Sequence, residues 1–139
     1  MESLNWIAIG VVTVANFILG AIWYGPIFGK QWMRIHHGNK TPSKIEMAQA
    51  EKDMWKILIP EFVATAVIIL GLAYTLALNP EYVWWHVALF VWFFFTLPFL
   101  VSVVLWGVDK KSVMCQKITI MSAYRLISLV GAAYVISIW

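Results

Sequence analysis

The sequence predicts an all-α integral membrane protein, a four-helix bundle with one cytoplasmic amphipathic helix between the first and second spans. Two observations predict this class. Of the 139 residues, 62% are hydrophobic and only 12% are charged, against about a quarter charged in ordinary soluble domains. The apolar residues also form four long runs. A chain of this length is expected to form a single domain over 1–139, with little room for a separate soluble module.

The first apolar run extends from about residue 4 to residue 24 and contains no formal charge. At about 1.5 Å rise per residue, it is long enough to cross a hydrocarbon core of about 30 Å. No basic residue precedes it and no A-x-A pattern follows it, so we expect a retained span rather than a signal peptide. Because proline lacks an amide hydrogen and disfavours helix in the residue before it, we expect the helix to end near Gly25-Pro26.

The polar stretch that follows covers about residues 28–56. Ser43 and Glu46 stand at capping-box spacing, which predicts the start of a helix. Apolar residues from Met47 to Met54 recur along one face of that helix. We therefore expect an amphipathic helix that lies on the membrane surface and leads into the second span.

Three further apolar runs predict the remaining spans. They cover about residues 57–78, 82–106 and 113–138. Asn79-Pro80 is a turn signal between the second and third spans. The third span is densely aromatic, and we expect its rings to face lipid or to pack in the core. It also contains Pro98, which predicts a kink.

The basic residues predict how the chain is threaded. Six of them lie within residues 28–56, Lys110 and Lys111 follow the third span, and residues 79–81 hold none. Since basic loops stay in the cytoplasm, we expect a multi-pass protein of the cell inner membrane with both termini outside the cytoplasm. The net charge of +3 then reflects this topology and an attraction to membrane lipid. It gives no reason to expect nucleic-acid binding.

Arg125 is the most informative single residue because it falls near the middle of the fourth span. An unpaired arginine there costs about 2.5–3.5 kcal/mol on insertion scales, so it must face protein, water or an opposite charge. Asn16 of the first span and Glu61 of the second are its two candidate partners. One interpretation is an anion or proton site at the bundle centre, and the other is a structural polar clasp between helices.

Glu61 follows Pro60, and this pair has two interpretations. If the second span begins at Pro60, the carboxylate sits at a helix N-terminus near the interface. If the helix is continuous from Ser43, Pro60 produces a kink and Glu61 is intramembrane. The length of residues 60–78 slightly favours the first interpretation. In both cases Glu61 and Lys117 lie at similar depth, so an ion pair between them is a further hypothesis. The candidate intramembrane polar site thus comprises Arg125, Asn16, Glu61, Lys117 and Tyr124.

Two groups of residues carry a resemblance to a known family. The first group is Asn5, Trp6, Asn16, Gly20, Trp23, Tyr24, Gly25, Pro26, Phe28, Gly29, Lys30, Trp32 and Met33. The second is the Ala-Tyr-Arg-Leu-Ile run at 123–127 with the small residues at 131–133. The sequence resembles domain-of-unknown-function family 1761, small four-span membrane proteins found mostly in bacteria. The resemblance covers essentially the whole chain, and it implies an architecture but no activity or catalytic residue.

The chemistry-bearing residues predict neither a metal site nor a cofactor. His36, His37 and His86 lack carboxylate or cysteine partners at ligand spacing. The single Cys115 excludes an internal disulfide. The sequence has no nucleophile elbow, phosphate loop or paired carboxylates, so it gives no positive support for an enzyme.

The small and polar helix faces exceed what one thin bundle must bury, which predicts a homo-oligomer. The leading hypothesis is an oligomeric pore or carrier for a small solute or ion, with a path that involves Arg125, Glu61 and Asn16. The alternative is a scaffold or interaction protein that recruits lipid or a cytosolic partner through its basic loop. A membrane enzyme is the third hypothesis, and it requires an enclosed cavity with convergent polar groups.

Overall fold

The computed structural model describes residues 4–36, 43–107 and 109–139, apart from the side chains of residues 50 and 51. His37, considered above as a metal ligand, lies outside these residues. Seven α-helices occur within them: α1 Trp6–Ile22, α2 Gly29–His36, α3 Lys44–Asp53, α4 Trp55–Leu78, α5 Trp84–Val91, α6 Leu97–Leu105 and α7 Lys111–Ile138. Two π-helical turns, Trp23–Ile27 and Trp92–Thr96, follow α1 and α5.

Four helical segments of the described chain are long and apolar enough to cross a membrane. They are Trp6–Ile27, Trp55–Leu78, Trp84–Leu105 and Lys111–Ile138. The all-α class predicted from the sequence is therefore confirmed. Length and composition of these segments indicate a multi-pass membrane protein.

The helical path continues through Gly25-Pro26, near which the first helix was expected to end, and this segment ends at Ile27. The backbone N–H of Phe28 donates to the carbonyl of Trp23, five residues earlier, at 2.9 Å. This wider turn accommodates Pro26. The N–H of Trp32 then donates to the carbonyl of Phe28 at 2.7 Å, so α2 begins at once. The sequence analysis missed α2 entirely.

The capping box predicted before α3 is confirmed. The backbone N–H of Ser43 donates to Oε2 of Glu46 at 2.7 Å, and the N–H of Glu46 donates to Oγ of Ser43 at 3.2 Å. Met47 and Met54, on the predicted apolar face, are both exposed. Where that face lies relative to a membrane stays a prediction.

The favoured interpretation of Pro60 is wrong. The helix α4 begins at Trp55, so Pro60 lies in the helix interior rather than in the first turn. The carbonyl of Met54 accepts hydrogen bonds from the N–H groups of Ile57 and Leu58, both at 3.0 Å, and these complete the first turn before the proline. Because Pro60 has no N–H, it removes one hydrogen bond from the helix ladder.

The bundle is arranged around α7, which packs against α1, α2, α4, α5 and α6. Ala88 of α5 and Ala132 and Ala133 of α7 are buried in the core, where small side chains allow close helix approach. The amide of Asn5 donates to the terminal backbone carbonyl of Trp139 at 3.1 Å. The beginning of α1 and the end of α7 therefore meet at one end of the bundle.

The aromatic side chains of the third span lie mainly on the outer surface of the bundle. Phe90, Phe93, Phe94, Phe95 and Phe99 are all more than half exposed. The irregularity expected from Pro98 takes the form of the π-helical turn Trp92–Thr96 immediately before it. Such turns often occur where a helix is bent or carries a functional residue.

Candidate intramembrane polar site

Asn16 is buried in the seam between α1 and α7, with only 5% of its surface exposed. Its Nδ2 donates to the carbonyl of Val12 at 3.0 Å, and its Oδ1 accepts a hydrogen bond from Oγ of Ser128. The hydroxyl of Tyr124 donates to the backbone carbonyl of Asn16 at 3.2 Å. The polar atoms of Asn16 are thus satisfied by α1 and α7, which matters because an unpartnered amide among apolar helices is costly.

Gly20 allows α1 and α7 to approach closely at the side chain of Tyr124. Tyr124 is 3% exposed, and a Cβ at Gly20 would lie 2.9 Å from its hydroxyl oxygen. A side chain at this position would displace the phenol ring. Gly20 therefore has a steric role.

Each π-helical turn begins with a tryptophan that bonds to the backbone of α7. The indole Nε1 of Trp23 donates to the carbonyl of Ile120 at 3.2 Å, and that of Trp92 donates to the carbonyl of Ser122 at 3.1 Å. The extra residue in a π turn changes the direction of the side chains around it. We infer that both turns serve to hold the first and third spans against the same stretch of α7.

Arg125 forms an ion pair with Glu61 of α4. Its Nη2 lies 3.1 Å from Oε1 of Glu61, and its guanidinium carbon lies 5.2 Å from the centre of the Tyr124 ring, within cation–π range. The arginine side chain is 19% exposed and the carboxylate side chain is 45% exposed. Of the two candidate partners of Arg125, the structure brings Glu61 to it and directs Asn16 to Ser128.

The hypothesis of an ion pair between Glu61 and Lys117 is wrong. Nζ of Lys117 instead binds Oδ2 of Asp109, just before α7. Lys117 and Arg125 are eight residues apart on one helix, which separates them by about 12 Å along the axis. Since Glu61 is at the level of Arg125, Lys117 is out of its reach.

An apolar groove lies between α4 and the α5–α6 segment, with a volume of about 650 Å³. Arg125 and Leu129 of α7 contribute to its lining, together with exposed rings of the third span such as Phe99. Arg125 thus both lines this lateral groove and pairs with Glu61, and it is the charged residue in a lining that is otherwise apolar apart from Thr75 and Thr96.

Several other residues that carry the family resemblance cap a helix or pack against neighbouring rings. The side chain of Asn5 caps α1, since its Oδ1 accepts from the N–H groups of Ile7 and Ala8, both at 3.1 Å. Tyr24 contacts the rings of Trp32 and Tyr124, with centroids 4.8 and 5.4 Å away. Seven members of the first group remain, of which Met33 is exposed. Phe28 contacts the ring of Trp23, a Cβ at Gly29 would lie 2.9 Å from the carbonyl of Tyr24, and Trp6, Pro26 and Lys30 are exposed. Gly25 has open space around its Cα.

The sequence analysis missed several residues of this region. Trp92, Ser122 and Asp109 carried no role there, and Trp23 appeared only among the residues of the family resemblance. Thr65 of α4 was also missed, and its Oγ1 is a buried hydroxyl with no hydrogen-bond partner in the described chain. One feature of the sequence could have pointed to Trp92: it lies shortly before Pro98, where a helix is expected to change geometry.

The fold and this site define a class of protein: a helical bundle with four segments of membrane length, joined by a buried polar seam along one helix. The sequence matches, over residues 7–137, the family described as protein of unknown function (DUF1761). The chain therefore belongs to this family, as its terminal motifs suggested. No curated protein and no solved structure matches it.

Proposed function

We propose that this chain forms a homo-oligomeric pore or carrier for a small solute or ion, with Arg125 and Glu61 as the polar site on its path. One observation carries the proposal. The two side chains form an ion pair, with Nη2 and Oε1 3.1 Å apart, and both residues belong to helices of membrane length. Ionisable residues within membrane spans commonly mark solute or proton pathways.

The exposure of Glu61 supports an oligomer. Almost half of its side chain is uncovered in the single chain, and charged groups within spans usually face the bundle interior, water or a partner. Ala64 and Gly71 are exposed on the same face of α4, three and ten residues after Glu61. Small residues let a neighbouring helix approach closely. A second copy on this face would enclose Glu61 at an interface or beside a hydrated path.

The chemistry of the pair suits an anion or a proton. Arg125 keeps its positive charge and can hold a carboxylate or another planar anion through paired N–H donors. Glu61 can accept a proton, which would end its charge attraction for the guanidinium and free Arg125 for a solute anion. One site could therefore couple proton uptake at Glu61 to anion binding at Arg125.

The proposed setting is the inner membrane, with the basic end of the bundle in the cytoplasm. Lys30 and Arg34 of α2 line the same cleft as Lys110, so both basic connectors lie at one end. The excess of basic residues in short loops favours the cytoplasmic side for that end. Single cysteines at residues 3 and 138 in a Cys115→Ser background should react with an impermeant reagent added outside intact cells. If neither cysteine reacts with the reagent, both termini face the cytoplasm and the proposed orientation is wrong.

The function is tested by flux into proteoliposomes, with a pH-sensitive dye for protons and swelling assays for chloride, nitrate and acetate. The wild type should carry at least one probe above the rate of empty liposomes. Arg125→Leu and Glu61→Gln should abolish that flux while the protein still assembles. Lys117→Leu is the matched control, because it removes another cation of α7 and should leave flux through the Arg125 site intact.

A double variant separates transport from a purely structural clasp. Arg125→Leu with Glu61→Leu replaces both charges by apolar groups, a change that often leaves stability unaffected or improves it. The proposal expects this variant to assemble and to carry no probe. Flux equal to the wild type in the double variant, or no flux of any probe by the wild type, would refute the assignment.

The alternative function is a scaffold that recruits lipid or a cytosolic partner through its basic loop. The exposure of Lys44, Lys52 and Lys56 on and beside α3 favours it. A pull-down from cytosol should then depend on residues 43–56. If the wild type carries no probe and this dependence is found, the scaffold replaces the transporter.

A further inference from the structure

A cleft of about 930 Å³ lies between α2 and the first turns of α7, at the end of the bundle opposite the chain termini. Three basic side chains line it: Lys30 and Arg34 from α2, and Lys110 from the residue before α7. Ser112 and Gln116 add polar groups on the α7 side. The cleft is separate from the Arg125–Glu61 pair, and its function does not depend on transport.

The position of α2 is fixed by its apolar face. Ile35 is buried, and Trp32 contacts the ring of Tyr24 with centroids 4.8 Å apart. Lys30 and Arg34 are four residues apart, so they lie on one face of the helix. Burial of the apolar face therefore holds these two basic side chains at the cleft rather than leaving them on a free loop.

The charges of the cleft are unbalanced. Asp109 is the carboxylate in its lining, and that group is already bound by Nζ of Lys117. Among the residues that the structure describes, no carboxylate forms an ion pair with Lys30, Arg34 or Lys110. Like charges held close together repel one another unless an anion lies between them. An anionic ligand would relieve this repulsion.

We propose that this cleft binds the phosphate group of an anionic phospholipid. Phosphate accepts several charge-assisted hydrogen bonds from arginine and lysine, which matches the donors present. The cleft adjoins the ends of two helices of membrane length, Trp6–Ile27 and Lys111–Ile138, where lipid headgroups lie. Ile35 and Val113 give part of the lining an apolar character. This position favours a lipid headgroup over free phosphate in solution.

The test uses two triple variants of the full chain that remove equal charge. The cleft variant is Lys30→Gln, Arg34→Gln and Lys110→Gln. The control variant is Lys44→Gln, Lys52→Gln and Lys111→Gln, none of which lines the cleft. Both proteins are purified in a neutral detergent and titrated with phosphatidylglycerol, phosphatidylcholine or inorganic phosphate, and bound lipid is counted by native mass spectrometry.

The wild type should bind phosphatidylglycerol in preference to phosphatidylcholine. Loss of three charge-assisted contacts should weaken that binding by at least about tenfold in the cleft variant, whereas the control variant should resemble the wild type. Equal weakening in both variants would show general charge attraction and overturn the site. If inorganic phosphate bound the cleft as well as phosphatidylglycerol does at the same concentration, the lipid would be ruled out as the specific ligand.

Discussion

Replacing Gly20 with alanine should destabilise the bundle through a single contact. The added Cβ would lie 2.9 Å from the hydroxyl oxygen of Tyr124, against at least 3.4 Å in an ordinary contact, so the ring must move by about 0.5 Å. The hydroxyl donates to the carbonyl of Asn16 at 3.2 Å. A shift of that size away from Gly20 would lengthen this hydrogen bond beyond its effective range.

The expected cost follows from three contributions. Overpacking of a well-packed contact costs about 1–3 kcal/mol. Loss of one interhelical hydrogen bond within a membrane costs about 0.6 kcal/mol on average. Alanine stabilises a helix relative to glycine by roughly 0.5–1 kcal/mol. Gly20→Ala should therefore lower the free energy of unfolding by about 0.6–3 kcal/mol.

A second substitution identifies the hydroxyl as the cause. Without that oxygen, the nearest atom of the ring to the new Cβ is Cζ of residue 124, at an ordinary 3.4 Å. Gly20→Ala combined with Tyr124→Phe should therefore be no less stable than Tyr124→Phe alone. A double-mutant cycle should return a coupling of about 1.6–3.6 kcal/mol, the sum of the overpacking and hydrogen-bond contributions, as expected for residues in contact.

The assay is reversible unfolding by sodium dodecyl sulfate in mixed micelles, followed by circular dichroism. Gly10→Ala is the matched control, because it lies on the same helix and nothing is within 4 Å of the added Cβ. It should leave stability unchanged or slightly raised. If Gly20→Ala proves as stable as Gly10→Ala, or if its effect simply adds to that of Tyr124→Phe, the inferred contact between α1 and α7 is wrong.

Three further predictions concern single polar groups. Asn5→Ala removes the N-cap of α1 and should cost about 1 kcal/mol in the same unfolding assay. Trp23→Phe loses the bond to the carbonyl of Ile120 and shrinks an aromatic side chain that contacts Phe28 and Tyr124, so it should cost at least about 0.6 kcal/mol. The hydrogen bond from Lys56 holds the pKa of Asp53 below its ordinary value of 3.8, so the helix stabilisation it gives is present above that pH and is lost as the pH falls through the lower pKa of the folded state. Lys56→Gln should therefore raise hydrogen exchange in α3 at pH 7 and have no effect in strong acid.

The sequence was sufficient for the four helical segments of membrane length, but not for α2 or for the partner of Asn16. A buried amide in an apolar helix must find a hydrogen bond, and that requirement is visible in one sequence. The choice of Ser128 over Arg125 depends on how α1 and α7 are rotated about their axes. That rotation results from packing contacts of both helices, among them Gly20 against Tyr124, which no single segment contains.

The two π-helical turns explain other errors. A π turn contains one more residue than an α turn, so every residue after it is shifted by about 100° around the helix relative to a regular pattern. The turn Trp23–Ile27 thereby carries the helical path past Gly25-Pro26 to α2, which the sequence pattern did not indicate. The position of Pro60 in its helix was also misjudged from the sequence, because a proline is tolerated both in a first turn and in a long helix supported by its neighbours.

The polar residues of the membrane-length helices differ in how many of their hydrogen-bonding groups are paired within the chain. Asn16, Tyr124 and Ser128 are buried and bonded to one another, so their replacement should lower stability. Glu61 is half-exposed on the outer face of α4 and binds Arg125 with one of its two oxygens. The carboxylate thus keeps an oxygen for a proton, a water or a second copy of the chain, whereas the buried groups of the seam bond to one another within the bundle. Variants of the seam and of the ion pair should consequently separate, with the first changing unfolding alone and the second changing flux in molecules that remain assembled.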